Sequence, residues 1–119
     1  MDDDSQLLLD FVELEKQKQL CQYCYHLNEN SELTFFLYQS LKMREIYDKY
    51  NDVILIDSTL KKNRFNMPVI LIICIDNYGL SRIVAFGLLS YETKVSYNWF
   101  IENFKQITSS KDPLIVFTD

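Results

Sequence analysis

Two aspartates stand where a carboxylate could meet a ligand. Asp57 closes the run Asp52-Val-Ile-Leu-Ile-Asp57, and Asp119 closes Pro113-Leu-Ile-Val-Phe-Thr-Asp119. Apolar runs of this kind form strands, and strand ends carry side chains to the rim of a sheet, where a metal or substrate has access. If both carboxylates serve one metal site, the sequence ends at its second ligand, and a third is expected beyond residue 119. Lys61, Lys62 and Arg64 follow Asp57 closely and form a basic turn on an acidic chain. Their chemical reading is phosphate contact beside the metal, and their plainer reading is a solvated loop. Ser58 and Thr59 lack the partners for nucleophilic work and are better suited to orienting Asp57.

A second set of chemical residues reads as structural. Cys21, Cys24 and His26 supply three of the four ligands of a tetrahedral zinc site. In an alternating strand, however, positions 21 and 24 point to opposite faces, and no fourth ligand is near in sequence. Cys74 lies inside an apolar run and has no second histidine to activate it, so it reads as a small core residue. Trp99 could stack on an extruded base, but its place beside an apolar helical stripe favours packing against the sheet. Asp76 and Asp112 read as turn residues.

Elements of definite type must position these residues. Leu7, Leu8, Phe11, Val12 and Leu14 recur at helical spacing behind Ser5, which predicts a helix capped by Ser5 and ending near Lys18. Residues 20–27 and 32–38 predict a hairpin around Asn28-Glu29-Asn30-Ser31. Ser40 is placed to cap a helix over 41–50, with Met43, Ile46, Tyr47 and Tyr50 on one face. Three strands follow at 53–57, 69–75 and 81–89, the last two joined by the turn Asp76-Asn77-Tyr78-Gly79. Thr93 begins a helix with Tyr97, Phe100, Ile101, Phe104 and Ile107 on one side. Residues 114–117 then read as a strand buried on both faces. A right-handed crossover would return that strand parallel to the strand at 53–57 and bring Asp57 and Asp119 to one side of the sheet.

The composition agrees with a folded domain. The chain has 119 residues, 48% of them hydrophobic, with two prolines, so it is one domain at most and not a disordered one. A soft boundary near Asn51 divides a helix–hairpin–helix extension, residues 1–51, from an α/β unit, residues 52–119. A net charge of −5 argues against a generic polyanion binder. It leaves open a DNA-processing enzyme whose acidic site meets phosphate through a metal. Three cysteines do not make a disulfide scaffold, and the acidic start Met1-Asp-Asp-Asp-Ser-Gln lacks the positive charge of a secretory signal. A reducing intracellular compartment is expected. The longest apolar run, residues 69–75, falls short of the roughly 20 residues of a membrane-spanning helix.

Several ordered motifs resemble one family. They are Asp57-Ser-Thr-Leu-Lys-Lys-Asn-Arg-Phe-Asn-Met-Pro68, Ile75-Asp-Asn-Tyr-Gly79, Ala85-Phe-Gly-Leu-Leu-Ser90, Glu92-Thr93, Ser96-Tyr97-Asn-Trp99 and Thr118-Asp119. Together they resemble the transposase domain of Mutator-like elements. Upstream, Leu8-Leu9-Asp10-Phe11, Leu27-Asn-Glu-Asn30, Leu33, Phe36 and Met43-Arg44 through Tyr47 resemble the segment that precedes this domain in the elements and in the related plant far-red-impaired-response regulators.

The resemblance implies a partial ribonuclease-H-like fold with three antiparallel strands, a helix and a fourth, parallel strand. It implies a DDE triad in which Asp57 matches the first acid and Asp119 the second, and Mg²⁺ or Mn²⁺ as the metal of the complete domain. DNA would be the partner and the nucleus the compartment, with DNA cleavage and strand transfer as the parent activity. The third acid is expected after residue 119, so residues 1–119 alone are expected to be inactive. A domesticated DNA-binding or transcription regulator that lost catalysis is the alternative, and self-association through an unpaired sheet edge is a further expectation.

Overall fold

The computed structural model describes residues 2–58, 67–91, 93–108 and 115–118. Asp2, not Ser5, caps helix α1 (Asp3–Gln17): its carboxylate accepts from the Ser5 backbone N–H at 2.7 Å, and Asp3 and Asp4 add charge that favours a helix N-terminus. The same bond holds the Asp2 carboxyl below the ordinary carboxylate range. Ser5 is instead buried inside the first turn. Gln19, with φ 61°, turns the chain out of the helix and into β1 (Cys21–Leu27).

β1 pairs antiparallel with β2 (Leu33–Ser40) across the expected turn. There the Asn28 side chain accepts from the N–H groups of Asn30 and Glu32 at 2.9 and 3.0 Å. Ser40 then caps α2 (Leu41–Lys49), accepting from Met43 N–H at 3.1 Å, as its sequence position predicts.

The remaining elements are β3 (Val53–Ser58), β4 (Val69–Ile75), β5 (Ser81–Leu89), α3 (Lys94–Thr108) and β6 (Ile115–Thr118). All strands join one six-stranded sheet in the order β1-β2-β5-β4-β3-β6. The β3–β6 pair is parallel, and every other neighbouring pair is antiparallel. The fold is thus the mixed α/β arrangement expected from the sequence. The sheet runs through the expected boundary near Asn51, because β2 pairs directly with β5, from Phe35↔Leu89 to Tyr38↔Phe86.

One strand differs from expectation. β6 is an edge strand of this sheet, with Phe117 55% exposed and Val116 also exposed, and not a strand covered on both faces. An unbroken apolar run records what a strand can bury, and its place in the sheet decides what it does bury.

Alternation gives the sheet two apolar faces. On one face Phe35, Leu37, Ile54, Ile56, Ile70 and Ile72 pack under Tyr47 of α2 and Phe100 and Phe104 of α3. On the other, Phe36, Met67 and Leu88 pack under Leu9 and Val12 of α1. The buried set of α1 is therefore Ser5, Leu9 and Val12, while Leu7, Phe11 and Leu14 of the expected stripe are exposed. The stretch from Leu7 to Leu14 is apolar nearly all round, so spacing alone could not choose between two sets at i, i+4, i+7. Within β5, Val84 has no register partner on β4, and the bulge turns both Val84 and Ala85 into the larger core. Gly87 matters sterically: a Cβ there would overlap the Phe36 carbonyl oxygen and the Phe100 ring.

Candidate metal centre at the end of the third strand

Asp57 sits one residue from the end of β3, between β4 and β6, and is half-buried. Ile54 and Ile56 face the larger core, so alternation turns Leu55 and Asp57 to the opposite face. Asp57 is opposite Leu71 on β4, and the preceding Ile56 is opposite Thr118 on β6. Neighbouring strands lie about 4.8 Å apart, close enough for acids at adjacent strand ends to share divalent ions. Asp119, which follows Thr118 in sequence, lies outside the described residues, as do Lys61, Lys62, Arg64, Thr59 and Asp112.

Half-buried and on a strand end, the Asp57 carboxylate suits a hard cation, which takes oxygen ligands. Among the described residues no three His, Cys, Asp or Glu side chains come together as a complete metal site. Of the two aspartates singled out in the sequence, Asp57 is the one that lies among the described residues.

The cysteines follow their structural reading. Cys21 is buried on the α1 side, with its thiol 3.6 Å from the Val12 carbonyl oxygen, whereas Cys24 packs against the larger core. Burial pushes the Cys24 thiol up to about 11 and raises Cys21 and Cys74 as well, which disfavours the thiolate needed for metal binding or attack. His26 pairs through Nδ1 with Thr34 Oγ1 at 2.8 Å. Trp99 stacks on Phe35 with ring centroids 5.0 Å apart, at the rim of the larger core.

Asp76 does more than its place in a turn suggested. Its carboxylate is buried and accepts from the N–H groups of Tyr78 and Leu80, both at 2.9 Å, and from Arg82 at 3.4 Å. The Leu80 N–H leads these partners in holding the carboxyl below its ordinary range, against the opposing effect of desolvation.

Sequence reasoning missed a cavity of about 660 Å³ where β1 begins and β2 ends, bordered by Lys16, Gln22, Gln39 and Arg44. One signal was present. Gln39 continues the buried row Phe35, Leu37, Gln39, where a polar side chain interrupts an otherwise apolar alternation.

Comparison with known proteins places this geometry. Residues 10–119 match the family model of the RNaseH-like domain of zinc finger SWIM domain-containing protein 1/3. The chain is 26% identical to Protein FAR-RED IMPAIRED RESPONSE 1 of Arabidopsis thaliana over 117 residues, covering 98% of this chain and 14% of that protein. It is 23% identical to Protein FAR1-RELATED SEQUENCE 6 of the same plant over 97 residues, covering 82% of this chain and 14% of that protein. A 73-residue stretch is 30% identical to the PKS-NRPS hybrid synthetase cheA of Chaetomium globosum, covering 59% of this chain and 2% of the synthetase. The chain spans about one seventh of the length of the two Arabidopsis relatives. No solved structure matches it. With a family match over both the hairpin and the α/β unit, and the strand order built on a parallel β3–β6 pair, the chain belongs to the RNaseH-like domain family of SWIM zinc-finger proteins 1 and 3, related to the transposase domain of Mutator-like elements.

Proposed function

We propose that the chain forms the N-terminal half of a Mutator-like DDE transposase catalytic domain whose parent activity is metal-dependent cleavage and strand transfer of DNA in the nucleus. Asp57 and Asp119 would be the carboxylates that hold Mg²⁺ or Mn²⁺. When bound, such ions activate a water or a 3′-hydroxyl and stabilise the leaving oxygen of a phosphodiester. The protein's own part is positional. The inner strand β3 fixes the height of Asp57, and the basic turn with Lys61, Lys62 and Arg64 supplies charge for the DNA backbone. A third acid on a helix after β6 would complete the triad.

One observation carries this reading: β3 and β6 run parallel in a register that pairs Ile56 with Thr118, each one residue before its aspartate. The test is Mn²⁺ titration of the ¹⁵N-labelled chain. Paramagnetic broadening should centre on residues 56–58 and 117–119 and be lost in Asp57→Asn and in Asp119→Asn. Broadening at those residues that survives both substitutions would remove the metal assignment.

The resemblance to the far-red-impaired-response regulators carries a second reading, a transposase-derived regulator that binds DNA without cutting it. Retained DNA binding with no Mg²⁺-dependent nicking in the longer protein would select it.

A further inference from the structure

We propose that the outer face of α1 docks a basic amphipathic helix of a partner protein, through the apolar row Leu7, Phe11 and Leu14 and the acids that border it. This face is turned away from the sheet and is independent of the metal reading.

The row is exposed although it is apolar. Leu7 is 64% exposed, Phe11 59% and Leu14 58%. Spacings of four and three residues set the three side chains along one stripe, while Ser5, Leu9 and Val12 form the stripe that meets the sheet. A single exposed apolar residue is ordinary on a protein surface. Three large ones in line have the spacing of a helix–helix seam, in which a second helix sets its own apolar side chains between them. The face is also preformed. Asp2 caps the start of α1, and Leu9 and Val12 hold its inner side on the smaller core, so a partner meets a helix that is already ordered.

Charge selects the partner. Within α1 there are five acids and one lysine. At 100° per residue, Asp3 and Asp10 border the row on one side and Glu15 borders it on the other. Gln6 Nε2 donates to Asp10 Oδ1 at 2.8 Å, which steadies that carboxylate on the helix surface and leaves its charge in place. The lysine within the helix, Lys16, stands 5.7 Å over the Tyr23 ring on the sheet side and does not offset the acids beside the row. Lys18, an exposed base, follows just past the last turn.

An apolar row walled by carboxylates repels a DNA backbone and an anionic bilayer. It also disfavours a second copy of α1, whose acids would meet their own kind across the pair. The matching surface is a helix with Leu, Ile or Phe in a row and Lys or Arg on both sides of it. Burial of the row would supply most of the affinity, and the acids the orientation and the rate of encounter.

Fluorescence anisotropy on the 119-residue chain tests the face with a labelled synthetic peptide of about 15 residues, the length of α1, carrying Leu in the apolar row and Lys elsewhere. The controls are the same residues in scrambled order and a twin with Glu in place of Lys. The basic amphipathic peptide should bind about tenfold more tightly than either control and gain helical circular dichroism. Phe11→Ser, at an exposed position, should weaken it about tenfold, and the double variant Asp10→Asn, Glu15→Gln severalfold with a shallower salt dependence. Circular dichroism of each variant checks that it folds. No binding up to about 1 mM, equal binding of the scrambled peptide, or affinity unchanged in Phe11→Ser would overturn the proposal. So would a dimer in sedimentation velocity that Phe11→Ser dissolves, which assigns the row to a second copy, or peptide binding lost in a longer protein, which assigns it to a contact within that protein.

Discussion

The two faces of the sheet use the same strands to different ends. The core between the sheet and helices α2 and α3 holds thirteen buried residues among those described, with Tyr47 edge-on to Phe104 at 5.0 Å and Trp99 stacked on Phe35. The core between the sheet and α1 holds five, and three large apolar residues of that helix remain exposed. Strand alternation offers both faces comparable apolar surface, so the helices above them set the difference. One helix covers one face and two helices cover the other, and stability should be concentrated accordingly.

The largest effects are expected at the closed face. Phe100→Ala should cost about 3–5 kcal/mol in denaturant unfolding, because it empties the centre of the larger core. Gly87→Ala should approach the same range, since the added methyl meets backbone as well as the Phe100 ring. If Gly87→Ala is instead neutral, the two-helix face is looser than its geometry indicates. On the α1 face Leu9→Ala should cost about 2 kcal/mol, while the exposed Leu7→Ala should stay within about 0.5 kcal/mol. Equal losses at Leu9 and Phe100 would erase the contrast between the faces.

A smaller, pH-dependent effect sharpens the comparison where α2 meets the β4–β5 turn. Tyr50 Oη donates to Asn77 Oδ1 at 3.0 Å beside the buried Asp76. Because the folded carboxyl of Asp76 titrates below its ordinary value of 3.8, its stabilisation is complete above that value and is lost as pH falls through the lowered one. The melting-temperature difference between the parent chain and Asp76→Asn should be constant from about pH 7 to pH 5 and shrink below about pH 4. A difference that persists under acid would assign the effect to turn geometry alone.

Much of this is legible in the amino-acid sequence. Ser40 and Thr93 mark helix starts through side-chain oxygens that capture N–H groups within the first turn, a local interaction that sequence records directly. The bounds of β4 and β5 came from composition and from Asn77 and Gly79 in the turn, and the parallel return of β6 from connection rules. What stayed hidden depends on distant partners. Asp2 displaced Ser5 as the cap because two neighbouring polar residues could both do the work. The choice of α1 face was settled by Phe36 and Leu88, remote in sequence. Asp57 could be picked out on its strand, whereas the cavity at Gln39 is assembled from three stretches of chain far apart in sequence and leaves only one odd residue in β2 as its trace.

The β2–β5 pairing also bears on how the chain reaches its native state. β1–β2 and β4–β5 are hairpins that can close over short stretches, whereas Phe35 and Leu89 must find each other across nearly half of the polypeptide. Closing that long loop carries an entropic cost before any of its contacts form. The rate-limiting event of refolding should therefore be the docking of two preformed hairpins along this seam, with β6 added afterwards at the rim.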